Sequence, residues 1–511
     1  MSRVVRPFRV VHEAKASHYK ARYSMKVLFI AAEASPLARV GGLAEVVSSL
    51  PRALTTLGHE VRLILPNYGC IKVLSPRSKV KELAALNPRP RTSDIGPLKV
   101  SFMGRSEPAT LKMTTLKEEI PVYLVENDQY FGGPEVYTDN DLERFLFFSL
   151  AIPGILSRLD WRPDIIHCHD WHTSLVPLWL KEIGCVFPTV FTIHNLAYQG
   201  AFNQQFLAVS GLSKVWQKHI PNDAPTPSLN FMSQGILLAN IVTTVSPTYA
   251  AEILTPEYGE GLEHLLRYRQ KELYGIVNGI DYEEYNPASD HYLVTNYNSS
   301  TVEKRVANKI ALQKKANLPQ DVDVPLIGMV SRLDEQKGFD LLLPAMESLM
   351  GKTKIQFVIL GKGREYYQEL LREAEQKYPD RVAVFVTFDD SLAHLIYGGS
   401  DMFLLPSRFE PCGLGQLIAM RYGAIPVVRH TGGLADTVQD TDANIEKGNG
   451  FVFQDYHPAS LIEAVKRAEG FFYHKDAWQK LMKRNMLLDF SWEASAKMYQ
   501  DIYRKAIKRQ K

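Results

Sequence analysis

Met402-Phe403-Leu404-Leu405-Pro406-Ser407-Arg408-Phe409-Glu410-Pro411-Cys412-Gly413-Leu414-Gly415-Gln416 is the stretch whose reading decides the fold. Residues 402–406 are a short apolar run of the kind that forms a strand buried on both faces, and 416–422 read as a helix. The loop between them therefore leaves the carboxyl end of a strand, the edge at which open α/β sheets bind ligands. It delivers Glu410, Cys412, Gly413, Leu414 and Gly415 to that edge, and the helix start behind it offers backbone N–H groups suited to an anion. Taken alone, the same residues also describe an ordinary strand-to-helix turn that carries an acid.

Working outward, the same pattern recurs. Short β-branched or aromatic runs at 326–330, 357–360, 382–386, 426–428 and 451–453 accompany 403–405 in one series. Runs at 26–32, 61–65, 122–125, 165–168, 190–193 and 241–245 form an earlier one. Their apolarity is continuous rather than alternating, so each strand is covered on both faces and the sheets are parallel with helices on either side. The fold class is α/β, with two Rossmann-like doubly wound domains expected to face each other over a cleft. The expected boundaries are a basic, disordered N-terminal extension over 1–24, a first domain over 25–273, a second over 274–490, and a terminal helix over 491–511. That helix carries Trp492, Ala496, Tyr499, Ile502, Tyr503 and Ala506 on one stripe, which should pack on apolar surface.

Length and composition agree. A chain of 511 residues, 45% apolar and 23% charged, is too long for one core and has the balance of an ordinary globular protein. The longest apolar candidate for a membrane span, 145–156, is broken by Ser149, Pro153 and Gly154. Net charge is +3, but six of the first 24 residues are Lys or Arg against the single acid Glu13, which leaves −2 for the remainder. A body so nearly neutral argues against nucleic acid as a partner. The basic tail lacks the apolar core of a secretory signal and reads as an extension or a misplaced start, the alternative being a targeting segment. Cys70, Cys168, Cys185 and Cys412 show no paired metal-type spacing and fit reduced thiols in a cytoplasmic protein.

The strand ends carry the chemistry. After the first strand comes Arg39-Val40-Gly41-Gly42-Leu43, in which Arg39, Gly41 and Gly42 could cradle a diphosphate at a helix start. No G-x-G-x-x-G is present there, so a nicotinamide cofactor is not expected. His167-Cys168-His169-Asp170-Trp171-His172 suggests a metal at first sight. His167 and His169 share strand parity while Asp170 and His172 begin the next turn, so convergence on one ion is not indicated. The better reading puts Asp170 at the strand exit, where it orients a hydroxylated ligand, with Trp171 in the core. One strand over, His194 repeats that position. In the second series Arg332 and Lys337 straddle a strand exit and a helix entry, where both can reach one dianionic diphosphate.

Assembled, these motifs resemble the bacterial glycogen synthase and plant starch synthase family. The resemblance runs from Met25 to the C-terminus and includes Thr192-Ile193-His194-Asn195, Thr244-Val245-Ser246-Pro247, Val277-Asn278-Gly279, Ser331-Arg332-Leu333 and Thr431-Gly432-Gly433-Leu434. It implies a glycosyltransferase B-type fold whose last helix crosses back to the first domain. It also implies retaining transfer of glucose from ADP-glucose, or alternatively UDP-glucose, to the non-reducing 4-hydroxyl of an α-1,4-glucan or maltooligosaccharide, with no cofactor and no metal. By motif match, Arg332 and Lys337 would hold the diphosphate, Glu410 the glucose hydroxyls, and Asp170 and His194 the sugar and acceptor region. Arg39, Gly41, Gly42, Asn278, Phe388, Cys412, Gly413, Leu414, Gly415, Thr431, Gly432 and Gly433 would complete the donor pocket.

The chain departs from the family pattern in that pocket. Arg39 stands for the usual lysine, Glu45 for an aspartate and Gly415 for a threonine, and Phe388 keeps an aromatic ring without its hydroxyl. Rival readings are transfer of another sugar, nucleotide-sugar epimerisation, or a catalytically silent glucan-binding protein of the same fold. Oligomeric state has no signature in the sequence.

Overall fold

A computed structural model describes residues 24–71, 92–117, 119–442 and 446–510; almost all of the basic extension expected over 1–24 lies outside them. The chain divides into two compact units. The first takes in the described residues of Met1–Thr244, Ile253–Ile276 and Trp492–Lys511, and the second takes in those of Val245–Glu252 and Val277–Ser491. A linear reading leaves 245–252 in the first domain, but the structure packs this short helical segment into the second unit.

The first unit is built on nine strands: β1 (Lys26–Ile30), β2 (Glu60–Pro66), β3 (Ser93–Phe102), β4 (Arg105–Leu116), β5 (Ile120–Glu126), β6 (Ile165–His169), β7 (Thr189–Ile193), β8 (Ile241–Thr244) and β9 (Leu273–Gly275). They lie in the order β3-β4-β5-β2-β1-β6-β7-β8-β9. The strands from β5 to β9 run parallel, as their continuous apolarity requires, whereas β3 and β4 add an antiparallel meander on β5. These two strands, and the edge strand β9, are absent from the sequence reading. The helix Trp492–Gln510 buries Trp492, Ala496, Tyr499, Ile502, Tyr503 and Ala506, the stripe read from its period, and packs on the helix Gly42–Thr56. Its Tyr503 hydroxyl lies 2.9 Å from His167 Nδ1, which gives a buried imidazole on β6 a polar partner.

The second unit has six parallel strands: β10 (Leu326–Val330), β11 (Gln356–Leu360), β12 (Val382–Phe385), β13 (Met402–Leu405), β14 (Ile425–Arg429) and β15 (Phe451–Phe453). Their order is β12-β11-β10-β13-β14-β15. The chain winds outward from β10 in one direction and then from β13 in the other, so the order reverses between these neighbours. In the first sheet the parallel order reverses in the same way between β1 and β6. Crevices at such reversals, beyond the carboxyl ends of the strands, are where doubly wound sheets bind ligands. Among the described residues no helix is long and apolar enough to cross a membrane.

Candidate active site

In the second unit the loops after β10 and β13 lock together. Gly338 has φ +77°, and a Cβ on it would come 2.1 Å from the Pro406 carbonyl oxygen, so only glycine permits this approach. The close packing brings Lys337 Nζ to 2.6 Å from Glu410 Oε2, with the Ser407 hydroxyl donating to the same oxygen at 3.0 Å. Glu410 is 5% exposed. The loop that carries it is held from outside: Arg429 Nε donates to the Ser407 carbonyl at 2.8 Å, and Arg408 pairs with Asp340 at 2.7 Å. Arg332 sits beside Lys337 on the same loop, half-exposed, with Nη1 3.2 Å from Asp334 and Nη2 donating to Gln336 at 3.0 Å.

Six further expected residues lie in the second unit. Asn278 is buried, its N–H supplies a hydrogen bond to the Cys412 thiol, and its Oδ1 has no hydrogen-bond partner among the described residues. Burial pushes the Cys412 thiol up to about 12, which makes it a packing residue rather than a nucleophile. A Cβ on Gly415 would approach the Phe403 ring to 3.0 Å, so the glycine at this departure from the family pattern matches the phenylalanine beneath it. Phe388, on the loop after β12, is 81% exposed. Gly413 and Leu414 complete the turn into the helix Gly415–Arg421.

The N–H groups of the glycine pair Gly432-Gly433 are engaged within the protein. The Gly432 N–H donates to Glu252 Oε1 at 3.0 Å, the Thr431 hydroxyl donates to the same oxygen at 3.0 Å, and the Gly433 N–H donates to the Glu410 carbonyl at 3.0 Å. A Cβ on Gly433 would lie 2.0 Å from the Cys412 carbonyl oxygen. These glycines let one backbone lie against the loop that carries Glu410. Glu252, which the sequence reading missed, belongs to the segment 245–252. That segment is tied a second time, by the Thr248 hydroxyl donating to Asp436 at 2.7 Å.

In the first unit Gly41 caps the helix Gly42–Thr56, and again an acid is already present. Buried Glu33 accepts from the Val40 N–H at 2.7 Å and the Gly41 N–H at 2.9 Å through Oε2, while the Tyr137 hydroxyl donates to Oε1. Of the donors expected from this turn, those two are turned inward to hold its shape. Arg39 pairs with Glu45 at 3.1 Å, so two of the four substituted positions of the family pattern meet in one contact.

Asp170 follows β6 with φ 55° and ψ −179°, a conformation that belongs almost entirely to glycine. The turn aims its carboxylate at the next strand exit, where it accepts from the His194 N–H at 2.7 Å and from the Asn195 N–H. Asp170→Gly should relieve the strain, and its fold should be more stable than that of Asp170→Ala by about 1–3 kcal/mol; thermal melting of the two variants checks this. Burial pushes the Asp170 carboxyl up to about 7 despite those two N–H donors. The unfolded carboxyl titrates near ~4, so its stabilising contribution is complete below about pH 4 and is lost as pH rises through about 7. Denaturant titrations of Asp170→Asn should show that fall between about pH 4 and 7 flattened relative to the parent.

The neighbouring imidazoles diverge. His167 bonds Tyr503 and, at 2.6 Å, the Thr192 hydroxyl; His169 bonds His194 at 3.0 Å; His172 stacks on Tyr137 at 5.0 Å between ring centres. Among the described residues no three His, Cys, Asp or Glu side chains form a metal-holding group. Trp171 is a core residue, packed so closely under Gly200 that a Cβ there would lie 2.2 Å from its ring.

Comparison with known proteins gives this arrangement a family. Residues 26–268 match the starch synthase catalytic domain model, and 311–470 match that of glycosyl transferases group 1. The glycogen synthase of Moorella thermoacetica is 45% identical over 95% of this chain and 98% of its own. The chain belongs to the glycogen synthase family. A second glycogen synthase, from Gloeobacter violaceus, is 44% identical over 95% of this chain and all of its own. The catalytic domain of starch synthase IV from Arabidopsis thaliana, solved with ADP and acarbose, superposes with a TM-score of 0.85 at 34% identity, over 95% of this chain and 100% of that one. The protein is thus a glycosyltransferase of the B-type fold with glycogen or starch synthase function, which sets aside the epimerase and silent-binder readings. Glycogen synthase membership also supplies a chemical context for the pairings above: Glu410 with Lys337, and Asp170 with His194, stand at strand exits beside the reversals of the two sheets.

Proposed function

We propose that this glycogen synthase uses ADP-glucose as donor and extends the non-reducing 4-hydroxyl of an α-1,4-glucan with retention, without a metal, in the cytoplasm. The observation that carries the donor reading is the likeness, over 95% of the chain, to a starch synthase catalytic domain solved with ADP. The acarbose in that structure supports a glucan-like acceptor. The four free cysteines are consistent with a reducing compartment.

In this reading the C1–O bond to the diphosphate breaks as the acceptor O4–C1 bond forms on the same face, and the O4 proton passes to the departing diphosphate. Negative charge grows on the leaving group while positive charge grows at C1. Lys337 and Arg332 oppose the former, and their anchored positions mean that little reorganisation is needed at the moment of transfer. Donor binding exchanges one partner of Lys337 for another, since its ammonium already faces the Glu410 carboxylate. Freed in part, Glu410 can accept from glucose hydroxyls. Asp170 and His194 serve the sugar and acceptor region.

The test is purified protein with labelled ADP-glucose or UDP-glucose and a short maltooligosaccharide. A kcat/KM for ADP-glucose at least about tenfold above that for UDP-glucose is expected, worth about 1.4 kcal/mol of discrimination. The reverse preference would replace the donor while leaving the transfer reaction in place. Treatment with EDTA should leave the rate unchanged; loss of activity restored by one divalent ion would overturn the metal-free mechanism.

A further inference from the structure

We infer that His169 is a positioning residue that fixes His194 in its Nδ1–H tautomer, so that His194 offers an N–H donor, and no bare nitrogen, to whatever its free edge meets. The functional side of this inference rests on the assignment of His194 to the sugar and acceptor region. The tautomer itself rests only on the geometry below.

His169 is the last residue of β6 and wholly buried, and its Nδ1 lies 3.0 Å from His194 Nε2. The ring centres are 5.3 Å apart, close to the widest separation that a 3.0 Å contact between ring nitrogens allows, so the two nitrogens point at each other. Burial holds His169 well below the ordinary imidazole range and brings His194 down to about 3, so both rings are neutral and each carries one N–H and one lone pair. The shared bond contains a single proton, and either ring can be its donor.

The far side of His169 decides between them. Its Nε2 is buried with no hydrogen-bond partner among the described residues. Phe29 stacks on the ring at 5.2 Å, and the His167 ring lies 4.1 Å away with both nitrogens already engaged by Tyr503 and Thr192. If His194 were the donor, the His169 proton would sit on that Nε2, leaving an N–H orphaned in the core. If His169 donates through Nδ1, only a lone pair is left bare there. Buried donors go unpaired more rarely than buried acceptors, so the second arrangement holds. Nε2 of His194 then accepts, and its own proton must be on Nδ1.

The strand end is anchored for this purpose. The His169 N–H donates to the Thr173 hydroxyl at 2.7 Å, and that hydroxyl donates back to the His169 carbonyl at 2.8 Å. A donor-only Nδ1 on His194 suits a hydroxyl or oxyanion acceptor and excludes general-base action through that nitrogen.

Full-length protein labelled with 15N in the histidine rings allows a direct test by two-bond 1H–15N correlation, with the signals assigned by their loss in His169→Asn and His194→Asn. Both rings should show the Nδ1–H pattern; an Nε2–H pattern for His194 would overturn the inference without any variant having to fold. For function, His169→Asn replaces the Nδ1–H donor with an amide N–H, whereas His169→Phe fills the space and offers none. The Phe variant should lose about tenfold or more in kcat with KM for ADP-glucose nearly unchanged, and the Asn variant should stay within about threefold of the parent. Equal losses in the two variants would refute the positioning role. Full activity in His194→Asn, with the tautomer pattern intact in the parent, would remove His194 from the site while leaving the tautomer assignment standing.

Discussion

Glu410→Gln should lower kcat by about 10²–10³-fold, the effect of removing one preorganised electrostatic contact at a reacting centre. The side chain stands where the loop after β13 meets the loop after β10, 2.6 Å from Lys337. Gln keeps its length and an oxygen that can accept from Lys337 and Ser407, so the fold should survive. Glu410→Ala is a different experiment. The carboxylate is buried, and its removal leaves the Lys337 ammonium facing a cavity, so loss of activity and loss of stability will come together, the latter about 3 kcal/mol or more for a broken buried pair. Steady-state rates with ADP-glucose and maltooligosaccharide, beside melting curves for both variants, separate the two effects. Parent-like turnover in a folded Glu410→Gln would remove Glu410 from the site.

Lys337→Ala and Arg332→Ala should each cost about 2 kcal/mol or more of transition-state stabilisation, roughly 30-fold in kcat/KM, because both are assigned to the departing diphosphate. Their stabilities should differ. Lys337 is the cation of the buried Glu410, whereas Arg332 is half-exposed and pairs with Asp334 on its own loop. Truncating Lys337 should therefore lower the melting temperature clearly and truncating Arg332 hardly at all. Inhibition by ADP supplies an independent readout, since both variants should bind it more weakly. Activity and ADP inhibition equal to the parent in either variant would contradict a diphosphate contact for that residue.

Much of this is legible in the sequence, for identifiable reasons. Strands buried on both faces announce themselves as unbroken apolar runs, and every such run read from the sequence lies in one of the two sheets. The stretch from Met402 to Gln416 showed a strand, a loop at its carboxyl end and a helix because each is a local property of the chain. By contrast, β3 and β4 alternate buried and less buried positions, with Lys99, Ser101, Thr110 and Lys112 between apolar residues, so a search for continuous runs passes over them. Segment 245–252 sits in sequence beside the first domain, although its ties run to Thr431, Gly432 and Asp436.

The sequence by itself determined the α/β class, the strands buried on both faces, the terminal helix stripe and which residue types stand at the strand exits, because period, turn chemistry and motif spacing are encoded within a few residues. Only the tertiary structure decided what each of those residues touches. Glu33 takes the N–H groups of the Gly41 turn from seven and eight residues away, Glu252 takes that of Gly432 across 180, and His169 meets His194 across 25. A buried polar group must find a partner wherever the fold brings one, and that partner is set by how strands and loops pack, which no local pattern records.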